Sequence, residues 1–143
     1  MMNNTDPIFL ISDNQLWVVR LTKWRLERLF GDNVNVITGH NGEDVIRLFD
    51  EIVRSGNHVR LKAVFVGCHM PVYTGMQAVE VIRSIERYNN ISMPVSIIGT
   101  TADLNENVYA EFMNAGANMV LEKPVSEGEF AQVITAIGQT TNL

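Results

Sequence analysis

The sequence predicts an α/β domain with a doubly wound parallel sheet, and three observations carry that prediction. Short apolar runs rich in β-branched residues alternate with longer stretches of helical spacing, and the alternation repeats five times. Successive parallel strands need crossovers, which are right-handed and lay helices over both faces of a sheet. The chain has 143 residues, 46% hydrophobic and 19% charged, a length that suits one domain with a core of its own, here taken as residues 1–143.

Ile8 to Ile11 is the first apolar run. After Ser12-Asp13-Asn14 a helix begins in which Trp17, Leu21 and Trp24 recur at i, i+4 and i+7; Asp13 or Asn14 can cap it and Gly31-Asp32 ends it. That stripe is read as core, with one of the two tryptophans left over as a surface contact. Val34 to Thr38 is the second strand, and Gly42 to Ser55 a helix with Val45, Ile46, Phe49, Ile52 and Val53 on one side. Leu61 to Gly67 is the most apolar strand, and a helix from Gly75 to Tyr88 follows the loop after it, carrying Met76, Val79, Ile82 and Ile85. Val95 to Gly99 is the fourth strand. Its helix, Glu106 to Ala115, aligns Val108, Phe112 and Ala115, with Gly116 placed to stop it. Met119 to Leu121 is the fifth strand, and Ser126 with Glu129 forms the capping box of a last helix that runs to Ile137 and buries Phe130, Val133, Ile134 and Ile137.

Composition narrows the function classes. The single Cys68 excludes an internal disulfide and a multi-cysteine zinc site, and a reducing cytoplasm is the natural setting. Eleven Lys and Arg against sixteen Asp and Glu, with no basic block, argue against nucleic acid as a partner. The apolar runs are strand-length, so no membrane insertion is expected, and the opening MMNNTDP lacks the basic and apolar regions of a signal peptide. His40 and His58 fall in predicted loops and are expected to be solvated.

In a doubly wound sheet the functional crevice lies outside the carboxyl ends of the strands. Those ends are Ser12-Asp13-Asn14, Gly67-Cys68-His69, Thr100-Thr101-Ala102 and Glu122-Lys123-Pro124. Together with Met70-Pro71, Gly75 and Ala115-Gly116-Ala117, they resemble, in order and spacing, the receiver domain of two-component response regulators, over about Pro7 to Ile137. The wording HMPVYTGMQAVEVIR is most similar to receivers of hybrid histidine kinases. The resemblance implies a flavodoxin-like sheet of order 2-1-3-4-5. It also assigns positions: an acidic pair at Ser12 and Asp13, the phosphoacceptor four residues before Pro71, a hydroxyl at Thr101, a lysine at Lys123 and a switch aromatic at 120.

Several of those positions have lost the family's residue. The acceptor position is Gly67, one of the paired acids is Ser12, and the switch position is Val120. Phosphoryl transfer to a receiver needs a nucleophilic carboxylate and Mg²⁺ on its oxygens, and glycine supplies no nucleophile. The resemblance therefore implies a degenerate receiver, or pseudo-receiver, that is not an enzyme and needs no cofactor, with at most weak Mg²⁺ binding at Asp13 and the His69 backbone. An unpaired buried ammonium is costly, so Lys123 is expected to pair with Asp13 or to turn toward water and Thr101. The implied partners are a histidine kinase, a histidine-phosphotransfer protein or another receiver, including a second copy in a homodimer, and they are engaged without phosphorylation. Two other readings stay open. Phosphorylation could fall on a non-standard residue such as Asp13. Alternatively, a small-molecule or redox sensor could use the space vacated at Gly67 together with Cys68.

Overall fold

The computed structural model describes residues 5–141; Met1 to Asn4, where the lack of a signal peptide is read, and residues 142–143 lie outside the described residues. Strand and helix alternate throughout: β1 (Ile8–Ser12), α1 (Leu16–Phe30), β2 (Asn35–Gly39), α2 (Gly42–Arg54), β3 (Leu61–Gly67), α3 (Gly75–Tyr88), β4 (Ser96–Thr101), α4 (Glu106–Ala115), β5 (Met119–Glu122) and α5 (Glu127–Thr141). The five strands are parallel and ordered β2-β1-β3-β4-β5, as the resemblance implies.

Because successive strand residues face opposite sides, each central strand feeds two apolar layers. Ile8, Leu10, Val64 and Ile97 pack with Phe49 of α2, Ile82 of α3 and Phe112 of α4. Phe9, Ile11, Phe65 and Ile98 pack with Leu26 of α1 and Phe130 and Ile137 of α5. β3, α3 and α4 have their predicted bounds, whereas β1, β2, β4 and β5 each end one or two residues later, and β2 and β4 also start one residue later. The physical reason is that the ladder outlasts the apolar pattern: Ser12 stays in register with Gly39 and Val66, and Thr101 with Glu122. Apart from Gly39 these extra residues are polar, and all stand at the carboxyl edge.

Local signals end the helices as expected. Gly116 takes a left-handed φ of 117°, and the N–H groups of Gly116 and Ala117 both donate to Phe112 O, closing α4. Glu129 N donates to Ser126 Oγ at 3.1 Å while Ser126 N donates to Glu129 Oε1 at 3.4 Å, the reciprocal bonds of a capping box.

Three sequence expectations need correction. The cap of α1 is Gln15, without a side-chain bond, in place of Asp13 or Asn14. The core stripe of α1 is Val18, Val19 and Leu26, while Trp17 and Trp24 are 49% and 51% exposed. The helix carries two apolar lines, and the sheet takes the one with the smaller side chains; the Arg28 guanidinium lies 4.8 Å from the Trp24 ring centroid on the outer side. His40 is exposed, but His58 is only partly so, and its Nδ1 is buried without a hydrogen-bond partner.

At the amino ends of β4 and β5 a polar cluster crosses the apolar layer. Arg83 donates to Gly116 O, Val95 O, Asn118 Oδ1 and Glu86 Oε1, and Glu86 Oε2 accepts from Val95 N at 2.7 Å. Glu86 is buried, so this one carboxylate holds both an ion pair and a backbone donor.

Candidate functional site

The carboxyl ends of β1, β3, β4 and β5 bring Ser12, Asp13, Gly67, Thr101 and Lys123 to one edge of the sheet. At its centre is an ion pair. Lys123 Nζ lies 3.1 Å from Asp13 Oδ2, with the two side chains 8% and 2% exposed. Lys123 also donates to Gln15 Oε1 at 2.7 Å, and Asp13 Oδ1 accepts from Gln15 N at 2.9 Å. Asp13, Gln15 and Lys123 therefore close on one another, and the ammonium has two oxygen partners in a place where an uncompensated charge would be costly. Sequence reasoning anticipates the Asp13 contact but not Gln15. A glutamine at the first turn of a helix carries no signal that its amide reaches a lysine more than a hundred residues away.

Gly67 explains where the Asp13 carboxylate goes. A Cβ built on Gly67 would meet Asp13 Oδ2 at 2.6 Å and Asp13 Cγ at 2.8 Å, closer than such atoms pack. Asp13 thus fills the space a side chain at 67 would need. This corrects the idea of a vacated pocket, because the room left by glycine is taken by a neighbour and the ammonium that could greet an anion is already paired.

The other site residues are also engaged. Ser12 Oγ donates to Asn41 O at 2.8 Å and lies 3.5 Å from Met70 Sδ. Thr101 is fully buried and its Oγ1 accepts from Asp103 N at 3.2 Å; it lies close to the Cys68 thiol, which contacts Met76 Sδ at 3.9 Å. Val120, in the middle of β5, is half-buried against the layer built by α2, α3 and α4 and offers no ring to swing between positions. His69 is exposed on the loop after β3. A narrow cleft of about 30 Å³, with Trp17, Leu21 and Phe130 among its walls, reaches down to Asp13 and Lys123 and has room for about one water.

Mg²⁺ takes six oxygens and is held by carboxylates, and of the two positions that the resemblance assigns to the acidic pair only Asp13 carries one. Asp13 places one oxygen on an ammonium and the other on a backbone N–H, and no group of three or more His, Cys, Asp or Glu among the described residues could hold a metal ion.

Cys68 is buried, and burial pushes its thiol up from the ordinary value, with the Thr101 hydrogen bond opposing. A raised pKa in the fold means that the thiol's contribution to stability is intact below the ordinary thiol range and is lost as pH rises through the folded value. We expect folded protein at pH 8 to react with iodoacetamide far more slowly than urea-unfolded protein, as read by mass spectrometry. Equal rates would show a reactive thiol.

No family model matches the chain. It is 27% identical over 125 residues to the peroxide stress-activated histidine kinase mak2 of Schizosaccharomyces pombe, covering 87% of this chain, and 30% identical over 118 residues to mak3 of the same yeast, covering 82%. The chain spans only about 5% of the length of either relative. Among solved structures it is similar to the receiver domain of the Saccharomyces cerevisiae response regulator Ssk1, determined with the histidine phosphotransfer protein Ypd1. The TM-score is 0.81 at 22% identity, over 97% of this chain and 93% of that one. It is also similar to the receiver domain of the Arabidopsis thaliana histidine kinase CKI1, determined with Mg²⁺ and BeF₃⁻. Here the TM-score is 0.78 at 23% identity, over 93% and 90% of the two chains. Five parallel strands in the order 2-1-3-4-5, with helices on both faces and an aspartate–lysine pair at their carboxyl ends, give the chain the fold of response-regulator receiver domains.

Proposed function

We propose that this receiver works by protein contact without being phosphorylated, as part of a phosphorelay that contains a histidine kinase. The observation that carries the reading is Gly67, at the end of β3, with the Asp13 carboxylate packed into the space of the missing side chain and held there by Lys123. Phosphorylation of Asp13 itself is disfavoured on the same ground. An attacking carboxylate needs a free oxygen, and both oxygens of Asp13 are occupied and buried. A domain with no acceptor and little Mg²⁺ affinity binds and does not catalyse.

A surface for such contact surrounds the edge. Leu16, Trp17, Val72, Tyr73 and Leu104 are all exposed there, on α1 and on the loops after β3 and β4. Along α1, Trp17 and Trp24 sit two turns apart on the outer line, with Arg20, Lys23 and Arg28 beside them in a chain whose net charge is −5. A large apolar ring flanked by arginine is the composition that anchors interfaces. The partner that fits best is a histidine-phosphotransfer protein, the kind of partner held in the solved complex of Ssk1 with Ypd1, or the kinase itself.

Beryllofluoride with Mg²⁺ tests the reading, because it mimics an aspartyl phosphate and binds only where acceptor and metal site exist. Fluorescence of Trp17, which lines the cleft above Asp13, supplies the readout. The wild type is expected to show no saturable change. The variant Gly67→Asp combined with Ser12→Asp is expected to gain one. Saturable binding by the wild type would overturn the proposal.

A further inference from the structure

The opposite edge of the sheet holds a second and larger concavity. Between the α2–β3 and α3–β4 connections lies a cleft of about 490 Å³, within the usual range for small-molecule sites. Its floor includes Leu61 and Val95, both buried, and its mouth carries Val59 and Met93, each 72% exposed. Ile91 and Pro94 complete an apolar wall. Burial of the chain's remaining apolar surface does not account for two side chains left so open beside a concave surface.

One charged side chain in this cleft has no counter-charge, and one lining residue has a buried polar atom without a partner. Lys62 is the one charged side chain lining it; its Nζ donates to Val59 O at 3.3 Å, and no carboxylate lies within ion-pair distance among the described residues. His58 also lines the cleft, and its Nδ1 is the one buried side-chain nitrogen or oxygen among the described residues that has no hydrogen-bond partner. Buried polar atoms are nearly always paired, so an unpaired one calls for a reason. Asn118, by contrast, is already fixed: its Oδ1 accepts from Arg83 and from Ile97 N.

We propose that this cleft binds a small amphipathic carboxylate. The apolar body lies against Leu61, Ile91, Met93 and Val95, and the carboxylate meets Lys62. The sign of the charge follows from Lys62 standing alone, since nothing in the lining would compensate a cation. The size follows from the volume, and the apolar body from the wall. The site is independent of the aspartate–lysine pair, so it stands or falls apart from the reading of the carboxyl edge.

Octanoate is the probe, titrated into the full chain and followed by backbone amide shifts in NMR spectra, with acetate, octanol and octylamine as comparisons. Octanoate is expected to give saturable shifts centred on Leu61, Lys62, Ile91 and Asn118, half-saturating below about 1 mM. Acetate and octylamine are expected to give none there. Lys62→Gln, a change at a half-exposed position that leaves the remaining spectrum in place, is expected to weaken octanoate by about tenfold or more. The proposal is overturned if octanoate shifts nothing at this edge, if its shifts centre elsewhere, if octanol or octylamine binds as tightly, or if Lys62→Gln leaves the affinity unchanged.

Discussion

Lys123→Met is expected to lower the stability of the domain by about 3 kcal/mol, the lower end of the cost of breaking a buried ion pair, because a narrow cleft still reaches the site. Methionine keeps most of the stem and removes the charge, which leaves the Asp13 carboxylate buried with one backbone donor. Restoring neutrality should recover more than half of the loss: in the double variant Asp13→Asn with Lys123→Met, the amide oxygen still accepts from Gln15 N and no charge is stranded. Urea midpoints of the three proteins measure this directly. A loss under about 1 kcal/mol in the single variant would mean that the pair is solvated and the carboxyl edge is free to rearrange.

Arg83→Ala should cost about 3–5 kcal/mol by the same logic at the other edge. Arg83 is the sole cation paired with buried Glu86, and it also satisfies Gly116 O, Val95 O and Asn118 Oδ1. Its removal therefore strands a charge and unties the entries to β4 and β5 together. Glu86→Gln is expected to cost less, since an amide oxygen can still accept from Val95 N. Equal losses in the two variants, measured by urea unfolding, would show that the charge and not the backbone acceptor matters most at this position.

What the sequence disclosed, and what it did not, divides along physical lines. Periodicity is a backbone-scale property, so the five strands, their helices and the residues at the carboxyl ends could be located from it. β3 and α3 have the predicted bounds, because apolar run and hydrogen-bond ladder stop together there. Side-chain partnerships are different. Two apolar lines run along α1, and only packing decides that Val18, Val19 and Leu26 face inward while Trp17 and Trp24 face out. Gln15 joins the aspartate–lysine pair through a contact between the first turn of α1 and the end of β5, invisible to any local pattern. Glu86 lies on the inward side of α3 among apolar residues, and its partners Arg83 and Val95 N are a helix turn and a loop away. His58 is in a turn, as expected, yet the fold closes over one of its nitrogens.

The carboxylate lodged beside Gly67 also bears on reversibility. A single substitution that returned an acid to position 67 would find its place taken, and Asp13 would have to abandon both Lys123 and Gln15 N to make way. Ser12 adds a second obstacle, since its hydroxyl donates to Asn41 O, a carbonyl that a carboxylate at that position would repel. Each neighbour has settled into the glycine's absence of a side chain. An acid placed at position 67 therefore reaches Lys123 only after the Asp13 carboxylate has moved aside.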